Sequence, residues 1–318
     1  MTTINPTFDF RTIKTFDDAC SKENIFPTFL HYLRWIPAEF RKPIFAYYKL
    51  LVIYKAINNG WRPDWSNYEQ NKYYPWFEVL SSGFGFSYSH YYYDFTSTFV
   101  GSRLCTDTGE KAIYIAEQFQ IEYQDFLLYS EEISTESTET NPAFDFRTIK
   151  TFEDARIKEN IFPTFLHHVR LIPTQFRKPI IAYYKLLIIY KAINNGWRPD
   201  WSNSEQNKYY PWFEVLSSGF GFSASDYDYD GTLTAVGSRL CTDSEEKIAY
   251  IAEQFKVEYQ KLFLYSEYNK NSLDRIMESK SFQEKNVEEV VPKQVREDVM
   301  NNRLFSRGIG TGSISQRR

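Results

Sequence analysis

"NNGWRPDWSN" spans Asn58 to Asn67 and recurs letter for letter from Asn194 to Asn203. Extending the match outward explains the recurrence. At the same offset of 136 residues, Phe8 aligns with Phe144, Trp76 with Trp212, Arg103 with Arg239 and Tyr129 with Tyr265, with no gap. Roughly three quarters of the aligned positions are identical, which indicates tandem duplication of one long module rather than a solenoid of short units. The chain therefore divides into a first copy at 7–130, a polar linker at 131–142, a second copy at 143–266 and an unduplicated tail at 267–318.

Each copy reads as a helix-rich α+β module with a small antiparallel sheet. "TFDDACSKEN" (15–24) predicts a short helix with Thr15 as N-cap, and "FPTFLHYLRW" (26–35) a second one. "RKPIFAYYKLLVIYKAINNG" (41–60) is apolar around most of its circumference. It predicts a buried central helix, with Pro43 in its first turn and Gly60 at its C-terminal cap. "KYYPWFEV" and "YYYDFTSTFV" have strand composition, with "SSGFGFS" between them as a loop or bulged hairpin. Pro75 predicts an edge position for the first strand. "DTGEKAIYIAEQFQIEYQDFLL" (107–128) predicts one closing helix, with Asp107 and Glu110 at capping-box spacing.

The 318 residues carry a net charge of −4, which argues against a chain whose main task is coating nucleic acid. Aromatics are abundant, with 25 Tyr, 27 Phe and 7 Trp, suiting both thick cores and recognition faces. Three cysteines without close pairing indicate a reducing compartment. "MTTINPTFDF" lacks the pattern of a signal peptide, and "PIIAYYKLLIIYKAI", broken by Lys185 and Lys191, is too short to span a bilayer.

The ordered set "IKTFEDA…RKPIIAYYKL…NNGWRPDW…KYYPWF…SSGFGFS…VGSRLC…AEQF" resembles a module encoded by tailed phages and prophages of Bacteroidetes, including crAss-like phages. The resemblance covers most of 8–130 and 144–266. It implies a phage origin and assigns no catalytic or binding residue. The tail and the tandem arrangement depart from the family's usual pattern.

Several residues invite a functional reading. In "GWRPDW", Trp61, Arg62, Asp64 and Trp65, repeated as Trp197, Arg198, Asp200 and Trp201, form either an aromatic platform with a polar clamp or a loop whose tryptophans cover the core. The second is favoured, since large aromatics usually pack. Arg103 and Arg239, in "VGSRLC", could meet an anion at the following helix N-terminus or neutralise a carboxylate such as Asp107 or Asp243. Asp226, Asp228, Asp230 and Gly231 open like a calcium loop, but its twelfth position is Gly237 where a bidentate Glu is required. Four histidines and three cysteines lack zinc spacing. No catalytic, cofactor or metal residue is assigned.

These readings predict a non-enzymatic protein that binds other phage or host proteins, or itself, in the virion or the host cytoplasm, with no cofactor and no membrane association. A ligand-binding module for a nucleotide-like molecule or nucleic acid is the alternative. In the tail, Val295, Val299, Met300 and Leu304 form a narrow apolar stripe suited to docking on a partner. The copies differ most at Cys20–Glu39, Tyr88–Phe99 and Thr108–Ile113. The two copies are expected to pack as a pseudo-two-fold pair.

Overall fold

The most apolar stretch of each half becomes a long buried helix, and the rest of the half assembles around it. The computed structural model describes residues 8–26, 28–63, 70–80, 83–92, 97–98, 103–128, 144–201, 203, 205–216, 219–228, 233–234 and 239–264. The first half contains α1 (Phe16–Glu23), a 3-10 segment (Thr28–Trp35), α2 (Ala38–Asn58), β1 (Lys72–Leu80), β2 (Gly83–Tyr92), β3 (Ser97–Thr98), α3 (Gly109–Gln118) and α4 (Gln120–Leu127). The second half follows the same order: α5 (Phe152–Lys158), α6 (Thr164–His168) with a 3-10 turn (Val169–Leu171), α7 (Thr174–Asn194), β4 (Lys208–Leu216), β5 (Gly219–Asp228), β6 (Leu233–Thr234), α8 (Glu245–Gln254) and α9 (Lys256–Phe263). The architecture is helix-rich α+β with small antiparallel sheets.

Thr15 and Thr151 start α1 and α5 with full capping boxes, completed by Asp18 and Asp154. The central helices α2 and α7 begin earlier than the sequence predicts. Pro37 and Pro173 precede their first residues, so Pro43 and Pro179 lie inside the helices rather than in the first turn. Both end at an Asn in the left-handed region, followed by Gly60 or Gly196 with φ near 97° and 95°. A Cβ at Gly60 would meet open space, so it is the backbone angle that favours glycine there.

Three other expectations are corrected. The closing helix is two helices, broken at Phe119 and Phe255. Its N-cap is Thr108 or Ser244, one residue beyond the capping box read from the sequence, and Asp107 instead pairs with Lys111 at 2.7 Å. The second short helix is a 3-10 run in the first half, and α6 plus a 3-10 turn in the second.

The sheet also differs from the prediction. Of the two readings of "SSGFGFS", loop or bulged hairpin, the second holds for Gly83–Ser87: these residues open β2, which pairs antiparallel with β1 with a register shift at Trp76/Phe77. β1 is a middle strand, not an edge, because β6 of the other half pairs with it at Phe77↔Thr234 and Glu78↔Leu233. That pairing, and the bridge Tyr73↔Thr106, both miss Pro75, which has no N–H to offer. Reciprocally, β3 pairs with β4 at Ser97↔Glu214 and Thr98↔Phe213. Each half thus lends a short strand to the other.

Both halves belong to one unit, Met1–Ser266. α2 packs against α7, and two residues meet their own counterparts: Tyr47 with Tyr183 at 5.0 Å between ring centroids, and Phe29 with Phe165 at 6.2 Å. Contacts between identical positions occur on a two-fold axis. No described helix is long and apolar enough to cross a membrane. The tail stripe Val295, Val299, Met300 and Leu304 lies outside the described residues.

Candidate functional site

Of the candidate residues, Trp61, Trp197 and Trp201 meet in one aromatic cluster drawn from both halves. Tyr74 and Cys105 from the first half are buried with Trp201, Tyr210 and Cys241 from the second. Trp61, Trp76, Leu128, Trp197, Trp212 and Leu264 pack against them, partly buried. Trp61, Trp197 and Trp201 of the repeated decapeptide are therefore parts of a core shared by both halves. Arg62 and Asp200 are exposed and Arg198 is half-buried, while Asp64 and Trp65 lie outside the described residues.

A buried lysine holds the decapeptide loop. Lys208 is fully buried, and its ammonium donates to the carbonyls of Asn203 and Gln206 at 2.8 Å each and lies 5.3 Å from the Trp201 ring centre. Lys72, its counterpart, is equally buried and donates to Gln70 O at 2.8 Å. Gln70 and Gln206 close the loop by donating to Arg62 O at 3.1 Å and Arg198 O at 3.2 Å. Asn58 and Asn194 tie the end of each central helix to the cluster by donating to Cys105 O and Cys241 O, at 2.8 and 2.9 Å. Neither pair stands out in the sequence. Their sequence context hides them, since Lys72 and Lys208 follow the polar run Glu-Gln-Asn, and Asn58 and Asn194 precede Asn-Gly at a helix end.

Arg103 and Arg239 are buried, each 4% exposed. Arg103 Nε donates to Leu262 O at 2.6 Å, and its Nη2 donates to Lys261 O at 3.2 Å and to Leu264 O. Arg239 Nε donates to Phe126 O at 2.8 Å and its Nη2 to Asp125 O at 3.3 Å. Each guanidinium therefore caps the C-terminus of the last helix of the opposite half. Last-turn carbonyls lack intrahelical partners and carry the negative end of the helix dipole. Asp107 and Asp243, proposed from sequence as the arginines' carboxylate partners, pair with Lys111 and Lys247.

Asp226 and Asp228 belong to β5, opposite Tyr210 and Lys208 in register, so the first half of the calcium-like motif is strand backbone. Asp230 and Gly231 lie outside the described residues. No group of three or more His, Cys, Asp or Glu among the described residues could hold a metal ion.

The thiols are protected by burial. Desolvation pushes Cys20 up to about 11 and drives Cys105 and Cys241 higher still, with Lys72 and Lys208 opposing the rise only in part. Since the thiolate is the reactive form, raised values leave all three protonated at neutral pH. The folded protein is expected to resist a disulfide reagent near pH 8 and to release three thiols on unfolding. Fast reaction of Cys105 or Cys241 in the folded protein would contradict their placement in the shared core.

No protein-family model, curated protein or solved structure matches this chain.

Proposed function

We propose that this chain is a non-enzymatic phage protein, built from two tandem copies of one module and a tail, that acts by binding other proteins as a structural or accessory component of the virion. The phage assignment rests on the ordered motifs shared with the phage-encoded module. The observation supporting a binding scaffold is the reciprocal capping by Arg103 and Arg239. These arginines fasten the halves together, while the buried Lys72 and Lys208 brace the loop segments of their own halves. A fastened two-fold body suits recognition through its outer faces, where sequence can diverge without cost to the core. The tail, with Val295, Val299, Met300 and Leu304, supplies the docking element in this reading.

Quantitative mass spectrometry of purified phage particles tests it. The chain is expected at a fixed ratio to the major capsid protein. Its absence from particles while abundant in infected cells would overturn the virion assignment. Deleting 267–318 is expected to leave the melting temperature nearly unchanged while removing the chain from particles. Particles that incorporate the truncated chain normally would refute the role given to the tail.

A further inference from the structure

One end of the two-fold seam carries a charge pattern that neither the helix capping nor the aromatic cluster uses. The 3-10 segment Thr28–Trp35 packs against α6 there, beside the Phe29–Phe165 contact. His31 and Arg34 come from the first half, and their counterparts His167 and Arg170 from the second; all four are exposed. Segments 28–38 and 164–174 contain no Asp or Glu. The next acid along, Glu39, is engaged by Lys191 at 2.7 Å. Arg34 and Arg170 enter no ion pair among the described residues.

The cations are held in place. Trp35 stacks on His168 across the seam, with centroids 5.1 Å apart and planes inclined by 14°. The Arg34 guanidinium lies 5.1 Å from the Trp35 ring centre. Behind them, Arg41 donates to Ile36 O at 2.8 Å and Arg34 O at 3.2 Å, and Arg177 donates to Ile172 O at 2.7 Å and to Arg170 O. The backbones that carry Arg34 and Arg170 are thus fixed by matching clamps. Burial lowers the His168 pKa, and His167, Arg34 and Arg170 push it the same way. The Trp35–His168 stack also breaks the symmetry of the repeat, since the counterparts are Leu171 and Tyr32. One of the most diverged segments of the two halves has therefore converged on this seam.

We propose that this seam binds a multiply charged phosphate group carried on a small molecule. Guanidinium forks suit phosphate oxygens, and imidazoles add donors that strengthen as they protonate. Like charges gathered at a closed seam repel one another, and a bound anion turns that repulsion into attraction. The chain as a whole is acidic, at −4, so the patch is a discrete site rather than part of a basic track for a polymer.

Calorimetric titration of the full chain tests the proposal with four probes: inorganic pyrophosphate, ADP, adenosine and oligothymidylate. Pyrophosphate and ADP are expected to bind and adenosine not to. Pyrophosphate should bind more tightly near pH 6 than near pH 8, with proton uptake, because burial and neighbouring cations hold the His168 pKa down and a bound anion favours its protonated form. Arg34→Gln with Arg170→Gln should weaken binding by at least about tenfold, as expected for lost charge-assisted contacts. Both side chains are exposed, so an unchanged melting temperature without ligand would show that the variant is folded. Lys256→Gln, an exposed change outside the seam segments, should leave binding intact. Pyrophosphate that fails to bind, or binds the double variant as well as the parent, overturns the proposal. Oligothymidylate binding without pyrophosphate binding also overturns it, in favour of a nucleic-acid surface. If the double variant is unfolded, the pH dependence and proton uptake of the parent protein decide.

Discussion

Arg103→Ala is expected to lower the free energy of unfolding by about 3–5 kcal/mol, and Arg239→Ala by a similar amount. The Arg103 side chain donates to the carbonyls of Lys261, Leu262 and Leu264, and is almost wholly buried. Truncation leaves those acceptors at the end of α9 without their donor and opens a void beside them. Each buried acceptor left unsatisfied costs about 1–3 kcal/mol, which makes the sum large even after partial relaxation. Arg103→Lys should recover only part of the loss, because one ammonium cannot reproduce the fork that spans several carbonyls. The contact joins opposite halves, so the loss belongs to their docking rather than to one helix alone. Guanidinium denaturation followed by tryptophan fluorescence measures it. A change of less than about 1 kcal/mol, the range of an ordinary surface substitution, would show that the halves are held together by other contacts.

Much of the local structure is legible in the sequence because its causes are local. Thr15 and Asp18 sit three residues apart and form the capping box that their spacing predicts. The apolar circumference of α2 marks a buried helix, and most of its surface is buried, with Phe45, Lys49 and Lys55 half-buried. The misreadings arise where distant chain decides the outcome. β1 reads as an edge strand because of Pro75, yet β6 arrives from the other half and pairs just beyond it. The roles of Arg103 and Arg239 are equally invisible, since their partners are main-chain carbonyls more than a hundred positions away and leave no mark in residue type. The seam cations escape notice for a related reason. Arg34 and His168 belong to different copies, and only the two-fold pairing brings them together. By contrast, Trp61, Trp197 and Trp201 lie in or against the shared cluster, because large rings near an apolar helix end bury themselves wherever the chain allows.

That cluster sets up the second large effect. Trp201→Ala is expected to cost about 3–5 kcal/mol, the range for truncating a buried aromatic. The Trp201 ring is 6% exposed, packs within the cluster of Tyr74, Cys105, Tyr210 and Cys241, and has the buried Lys208 ammonium close by. Alanine would remove the ring from a core shared by both halves and would leave Lys208 with its carbonyl partners but without its aromatic neighbour. Trp201→Phe should recover much of the packing, since a smaller ring still fills most of the space. Trp61→Ala, at a position only partly buried, should cost less, because less apolar area leaves contact with the core. The order Trp201→Ala, then Trp61→Ala, then Trp201→Phe in decreasing cost is therefore the expected signature of a packed cluster. Thermal unfolding of the three variants beside the parent reads it directly. A Trp201→Ala protein that melts with the parent would mean that the ring adds nothing to the core. The platform reading of the decapeptide, with Trp61, Arg62, Asp64 and Trp65 and their counterparts displayed to a ligand, would then replace the packing one.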